Sequence, residues 1–405
     1  MLSSAKFPEY LLNNMKPIKM SLLLKIVIAI LLGIGCSYFF PESITRLFIT
    51  FNSLFGNFLN FIIPLLILGL VAPGIAELGR GAGKMLGVTA LLAYGSTVLA
   101  GYFSYAVCNL TYPYILERGS FTAHEALAES IGLEPYFEIS MPPVFGVMSA
   151  LILSFVLGLA LASVRGNVFR SMLCEFREVI MLVIRRVIIP LLPLYIFGIF
   201  LKMGAEGTVM MIVGLFVKVI VVIFVLHVAL LLLQFCIAGA VAGKNPLRCL
   251  RNMLPAYITA LGTQSSAATI PVTLAQAKKN GVRAEVADFV IPLCGTIHLS
   301  GSTLKIVACA VAIAFMSGMP VELGLYSEFI FMLGIAMVAA PGVPGGAIMA
   351  SIGIIGSILG FDEDMQGLMI ALYIAMDSFG TACNVTGDGA IAMVVDRIFR
   401  KSAVR

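Results

Sequence analysis

The chain has 405 residues, 60% of them hydrophobic and only 12% charged, with a formal net charge of +5. A mean hydropathy of +1.04 is more than any soluble domain needs, so the pattern is that of an all-α polytopic membrane protein. Eight cysteines without paired or metal-ligand spacing, and three dispersed histidines, exclude a disulfide framework, a zinc site and most histidine-based metal centres.

In chain order, the first apolar run is "LLLKIVIAILLGIGCSYFF". It follows three lysines and has no small-residue cleavage site, so it reads as a retained first helix rather than a signal peptide. Runs of spanning length fall at roughly 20–40, 45–75, 85–110, 143–164, 178–201 and 208–242. Residues 250–275 and 330–358 are apolar but interrupted by Pro, Gly and Ser. Residues 285–317 and 366–396 read as helices again, each with a polar middle.

The basic residues set the topology. Eighteen of the 26 fall in six clusters: Lys6/Lys16/Lys19, Arg80/Lys84, Arg165/Arg170/Arg177, Lys244/Arg248/Arg251, Lys278/Lys279/Arg283 and Arg397/Arg400/Lys401/Arg405. Acid-rich loops separate them, with Glu117, Glu125, Glu129, Glu134 and Glu138 in one, Glu322 and Glu328 in another, and Asp362, Glu363 and Asp364 in a third. The net positive charge therefore suits membrane topology, with lipid as the surrounding partner, better than nucleic acid. Positive-inside places both termini in the cytoplasm and predicts eight full spans. Residues 250–275 start and finish on basic ground and 330–358 on acidic ground, so each predicts a re-entrant hairpin. Non-helical backbone at membrane depth is tolerated only when buried in protein or lining a wet cavity. Two hairpins of opposite polarity therefore imply a central polar site and inverted repeats, as in secondary transporters.

The last span carries the strongest chemical signal. "AMDSFGTACNVTGDGAIAMVV" places Asp377, Thr381, Asn384 and Asp388 at helical spacing, on one face. Carboxylates are expensive in hydrocarbon. A helix–helix polar contact explains Thr or Asn alone; two carboxylates on that face point to a site for cations and a zwitterion. The first hairpin turns at "GTQSSAATIPVT", where Ser265 and Ser266 and free amides at a helix start suit a carboxylate, although serines are also ordinary turn residues. The second turns at "AAPGVPGGAIMAS", whose Gly and Pro suit a flexible gate. Between them, "IPLCGTIHLSGSTLK" predicts a helix unwound around Gly295, Ser300, Gly301 and Ser302, freeing carbonyls for a cation. His298 reads either as a packing residue or as a proton carrier. Lys305 either snorkels or pairs with a carboxylate.

Four of these motifs in this order, "SSAATIPVT", "GTIHLSGST", "PGVPGGAIM" and "DSFGTACNVTGD", resemble the dicarboxylate/amino acid:cation symporters, the family of the bacterial and human glutamate and neutral amino acid transporters. The serine/threonine branch is the most similar. The resemblance is strong over 245–400 and extends in length and order to the first six spans. It implies a homotrimeric transporter, not an enzyme, working as an elevator. The scaffold would be 1–76 (spans 1 and 2) and 143–205 (spans 4 and 5), with an external loop at 113–142. The transport domain would be 77–112 (span 3) and 206–405 (span 6, hairpin 1, span 7, hairpin 2 and span 8). It further implies that Asp377 binds a substrate amino group, supported by Thr381, and that Asn384 binds its α-carboxylate with Ser265 and Ser266. Sodium would sit at Asp388, with Asn384, Cys294, Thr296 and His298 as the surrounding metal candidates.

The chain departs from the family pattern in four places. Acidic-substrate members have an arginine where this chain has Gly380. The family's Asn-Met-Asp becomes His298, Leu299 and Ser300. Only Thr89 falls near the span 3 hydroxyls, and the third hairpin serine is Ala267. These departures predict a sodium-coupled symporter of a small neutral amino acid, with His298 or Lys305 supplying the missing charge as proton carrier or fixed cation. The rival readings are a dicarboxylate or acidic amino acid symporter, which needs Lys305 or another cation in place of the arginine, and a non-transporting sensor or anion channel on the same scaffold.

Overall fold

The computed structural model describes residues 21–79, 84–121, 133–164, 166–207, 209–342 and 344–402. Lys6, Lys16, Lys19, Arg80, Arg165, Arg405, Glu125 and Glu129, all used in the topology argument, lie outside the described residues, as does Val343 of the second hairpin tip. The described residues form helices and connecting turns without strands. We number the helices α1 (Leu22–Ser37), α2 (Glu42–Gly79), α3 (Lys84–Ile115), α4 (Val147–Ser163), α5 (Val168–Ala205), α6 (Val209–Ala242), α7 (Pro246–Thr263) and α8 (Ser266–Lys279). The remainder are α9 (Ala284–Ile297), α10 (Ser300–Met316), α11 (Leu323–Ala339), α12 (Gly346–Leu359), α13 (Glu363–Ala375) and α14 (Asp377–Ser402). Among the described residues, five segments are long and apolar enough to cross a membrane (42–76, 84–115, 168–205, 213–242 and 284–316), and α13 with α14, taken as one span, makes a sixth, bent by 62°.

Local chemistry explains the breaks. α7 starts at an Asn245 cap, whose side chain accepts the Arg248 N–H at 3.0 Å, with Pro246 in the first turn. It ends at Gln264, whose φ of 52° is the only positive one at a non-glycine among the described residues. Ser265 then caps α8 by accepting the Ala268 N–H. α7 and α8 pack against each other as a helix–turn–helix, and so do α11 and α12. Gly345 opens α12 at φ 73°, a conformation that costs glycine nothing. α5 contains one wide turn, Ile184–Ile188, directly before Pro190, which has no N–H to close a regular turn.

Two long polar stretches are not continuous helices. α9 stops at Ile297 and α10 restarts at Ser300, leaving His298 and Leu299 outside helical geometry. The stretch beginning at Ala375, read from sequence as one straight span, bends at Met376, so that Asp377 becomes the first residue of α14. The carboxylate therefore sits beside the unpaired amide end of a helix, where a negative charge is favoured.

The helices pack in two groups. α2 lies against α4 and both halves of α5, and α1 lies against the second half of α5. In the other group α14 packs on α6, α7, α8, α9 and α10, while α3 covers α10. Helices α11, α12 and α13 touch both groups. Nearly all of α10 is buried, which makes it the axis of the second group. Its approach to α14 is limited by Gly301, where a Cβ would lie 2.6 Å from Cys383 Cβ and 2.7 Å from the Gly380 carbonyl oxygen.

This contact gives a stability prediction. Gly301→Ala forces α10 and α14 apart and should cost about 1–3 kcal/mol. Its thermal unfolding in detergent should move several degrees lower, whereas Gly87→Ala, with open space around its Cβ on a helix, should not lower the midpoint.

Candidate functional site

The first residue of α14 is held on both carboxylate oxygens. Asp377 Oδ1 accepts from Lys305 Nζ at 3.0 Å, and Oδ2 accepts from the Gly345 N–H at 2.8 Å. Lys305 is wholly buried and Asp377 nearly so. The lysine ammonium also lies 3.4 Å from the centre of the Tyr373 ring and 3.4 Å from the Tyr373 carbonyl oxygen. A cation over an aromatic face is a favourable seat. A Cβ on Gly380 would lie 2.8 Å from Lys305 Nζ and 2.9 Å from its Cε. The space left by the missing side chain is thus filled by a lysine from α10.

The second carboxylate is met in the same way. Asp388 Oδ1 is 2.9 Å from His298 Nδ1, and both side chains are buried. The other ring nitrogen, His298 Nε2, is 3.0 Å from Ser96 Oγ on α3. Gln234 of α6 donates to Ser96 Oγ and to Ser300 Oγ, each at 3.1 Å. The break at His298–Leu299 makes this geometry: it turns the imidazole out of the helical line and frees the first amides of α10. Asn384 of α14 takes them, its Oδ1 accepting from Gly301 N at 2.8 Å and Ser302 N at 3.2 Å. The Asn384 amide donates to Ser302 Oγ at 3.0 Å, and Tyr373 OH donates to the same oxygen at 3.2 Å.

The two helix–turn–helix tips close against this centre. Ser265 Oγ donates to the Gly342 carbonyl at 2.8 Å, joining the tips directly. Gln264 donates to Ser378 Oγ at 2.8 Å, tying the first tip to the start of α14. Ser266 is buried at the first position of α8, and Thr381 is buried one turn beyond Asp377.

The structure thus gathers Asp377, Gly380, Asn384, Lys305, His298 and Asp388 around the α10–α14 contact. Two expected residues lie elsewhere. Thr296 donates to the Leu293 carbonyl at 2.7 Å and is exposed. It lines a cavity of about 370 Å³ with Leu70, Gly74, Arg177 and Pro341, because its position on α9 faces α2 and α5 rather than α14. Thr89, the expected span 3 hydroxyl, bonds to Met85 of its own helix. Cys294 is buried as expected from an apolar run, and its carbonyl accepts the His298 N–H at 2.8 Å, completing the last turn of α9. Sequence reasoning missed Ser96, Gln234, Tyr373 and the Gly345 amide. Gln234 had a signal, a lone amide in "LLLLQFCIAGAV"; the Gly/Pro tip pointed to exposed backbone amides, though not to Gly345 in particular.

Residues 22–398 match the sodium:dicarboxylate symporter family. The chain belongs to this family. Among its relatives, a serine/threonine transporter of Acinetobacter baumannii (strain AYE) is 28% identical over 93% of this chain and 97% of its own length. A serine/threonine transporter of Acinetobacter baylyi is 27% identical over 94% of this chain and 98% of its own length. The human excitatory amino acid transporter 1 is 31% identical over 48% of this chain and 34% of its own length. This sodium:dicarboxylate symporter family member is therefore a membrane transporter and not an enzyme.

In this symporter the imidazole of His298 covers an oxygen of Asp388. His298→Asn should uncover that oxygen for a sodium ion. Sodium bound at ten times its dissociation constant would add about 1.4 kcal/mol to stability. The thermal shift on replacing choline chloride by sodium chloride should therefore be larger in His298→Asn than in the unmodified protein; equal shifts would place the ion away from this imidazole.

Proposed function

We propose that the protein is a cation-coupled symporter that carries a small neutral amino acid into the cell. The observation that carries this reading is the buried Asp377–Lys305 pair beside Gly380. A zwitterion can enter that pair without changing its net charge, its ammonium on Asp377 and its carboxylate toward Asn384, Ser265, Ser266 and the amides of the tips. The lysine stem fills the space beside Gly380, so little room remains for a long substrate side chain. The Acinetobacter relatives, named as serine/threonine transporters over nearly their whole length, support a neutral substrate.

The coupling ion is sodium, held at Asp388 with Asn384, and one oxygen of that carboxylate is shared with His298. Ser300 stands where acidic-substrate relatives have an aspartate, and a hard cation bound by neutral oxygens alone is weak there. Fewer sodium ions are therefore coupled, with a proton as the alternative cation. In this reading α1, α2, α4 and α5 form the scaffold of a homotrimer in the bacterial inner membrane. The transport domain, α3 and α6–α14, moves against it as an elevator, with α7–α8 and α11–α12 as re-entrant hairpins of an inverted repeat. Eight spans and two cytoplasmic termini follow from the distribution of basic residues.

One observation favours the acidic-substrate rival. The ammonium of Lys305 lies beside position 380, against the place where a side chain there would begin. A second carboxylate could use it only by drawing Lys305 from Asp377 and adding a net negative charge that needs a further cation. The sensor or channel reading gives no reason to keep buried charge on α14.

Uptake into proteoliposomes separates these readings. Alanine, serine or threonine should enter saturably, non-cooperatively in sodium, and aspartate should not compete. Micromolar aspartate uptake that ignores serine would establish the rival, and no uptake of either would leave the sensor or channel. Asp377→Asn removes the ammonium seat at a cost of about 2–5 kcal/mol, so KM for the neutral substrate should rise roughly 30-fold or more. Near-normal uptake by that variant would reject the assignment of Asp377.

A further inference from the structure

A lysine ammonium in the seat that a ligand's ammonium needs is a competitor built into the chain. Lys305 Nζ bonds Asp377 Oδ1 at 3.0 Å while the second oxygen holds the Gly345 N–H at 2.8 Å. Gly345 is the residue at which the second tip turns into α12. The same tip accepts the Ser265 hydroxyl at Gly342. Charge on Asp377 and closure of the tip are thus joined through one carboxylate. From the same position the ammonium also touches the Tyr373 ring and its carbonyl, each 3.4 Å away, so it keeps two partners if Asp377 is taken from it.

We propose that Lys305 is a resident stand-in for the substrate's ammonium: in the empty carrier it holds Asp377, and through Asp377 and Gly345 it keeps the second hairpin closed. When substrate arrives, the ligand's ammonium takes Asp377, and Lys305 gives up that carboxylate and keeps its contacts with the ring and carbonyl of Tyr373. The carrier can then cross the membrane empty with its buried carboxylate still matched, which an uncompensated carboxylate would oppose. Lys305 is accordingly a positioning residue that sets affinity by competition and permits the empty return. The ligand's identity as a zwitterion rests on the function proposed above; closure of the empty carrier does not.

Amide hydrogen exchange on the ligand-free protein tests the closure without any substrate. In Lys305→Gln, residues 345–352 should exchange roughly tenfold or more faster than in the unmodified protein, while α10 keeps its protection. Unchanged exchange at 345–352 would overturn the proposal. Loss of protection spreading through α10 would also overturn it, by showing an ion pair needed only for folding. A transport readout then tests the empty return. In Lys305→Gln, exchange across substrate-loaded proteoliposomes should persist while net uptake into substrate-free ones falls roughly tenfold. An equal fall in both would reject the return role. If no neutral amino acid enters or exchanges with the unmodified protein, the substrate reading fails and hydrogen exchange alone decides the closure.

Discussion

Two carboxylates on one buried helix must each find a polar partner, and the rest of this structure follows from that requirement. An ionised carboxylate taken from water into the protein interior loses several kcal/mol of solvation. Asp377 is met by the ammonium of Lys305 and Asp388 by a ring nitrogen of His298, and both partners lie on the span formed by α9 and α10. The two spans must therefore run close together. Gly301 and Gly380 allow it: a Cβ on the first would strike α14, and a Cβ on the second would strike the lysine itself.

The same requirement explains why that span is broken. A continuous helix would carry the imidazole of His298 along the helical face and leave no free amides at its centre. The interruption at His298–Leu299 exposes the first N–H groups of α10, and Asn384 satisfies two of them. Each device serves two purposes. The break aims a histidine at Asp388, and it also creates the polar amide end that a helix start presents to anions. Asp377 repeats the logic at the bend after Met376, where its charge lies at the start of α14 and reaches the backbone of Gly345.

Charge and gate are consequently not separate parts of the molecule. The second tip is tied to α14 through a carboxylate, the first tip through Gln264 and Ser378, and the two tips to each other through Ser265 and Gly342. Any solute that engages Asp377 alters the hold on the second tip. Helices α11, α12 and α13, which carry this tip and the approach to Asp377, also contact both packing groups. Events at the carboxylate are thereby adjacent to the surface along which the groups meet.

The membrane class, the order of the long helices, the interrupted segments and the polar face of the last span were legible in the sequence. Hydropathy, Gly/Pro/Ser interruptions and helical spacing are local properties, and lipid punishes unpaired backbone strongly enough to make them reliable. Asp377, Asn384 and Asp388 stood out because charge and amide are rare in such runs. The pairing of those residues was decided only by the tertiary structure. Lys305 was a candidate from sequence for the charge missing at Gly380, but only the packing of α10 on α14 sets it there and on Asp377. Thr296 read as part of the ion site, yet its helix turns it toward α2 and α5. Ser96 and Gln234 reach His298 from α3 and α6, a meeting that spacing along one segment cannot encode. A side chain's type and its neighbours on the same helix are written locally. Which side chain meets which carboxylate depends on the approach of separate helices, and that is a property of the packed whole.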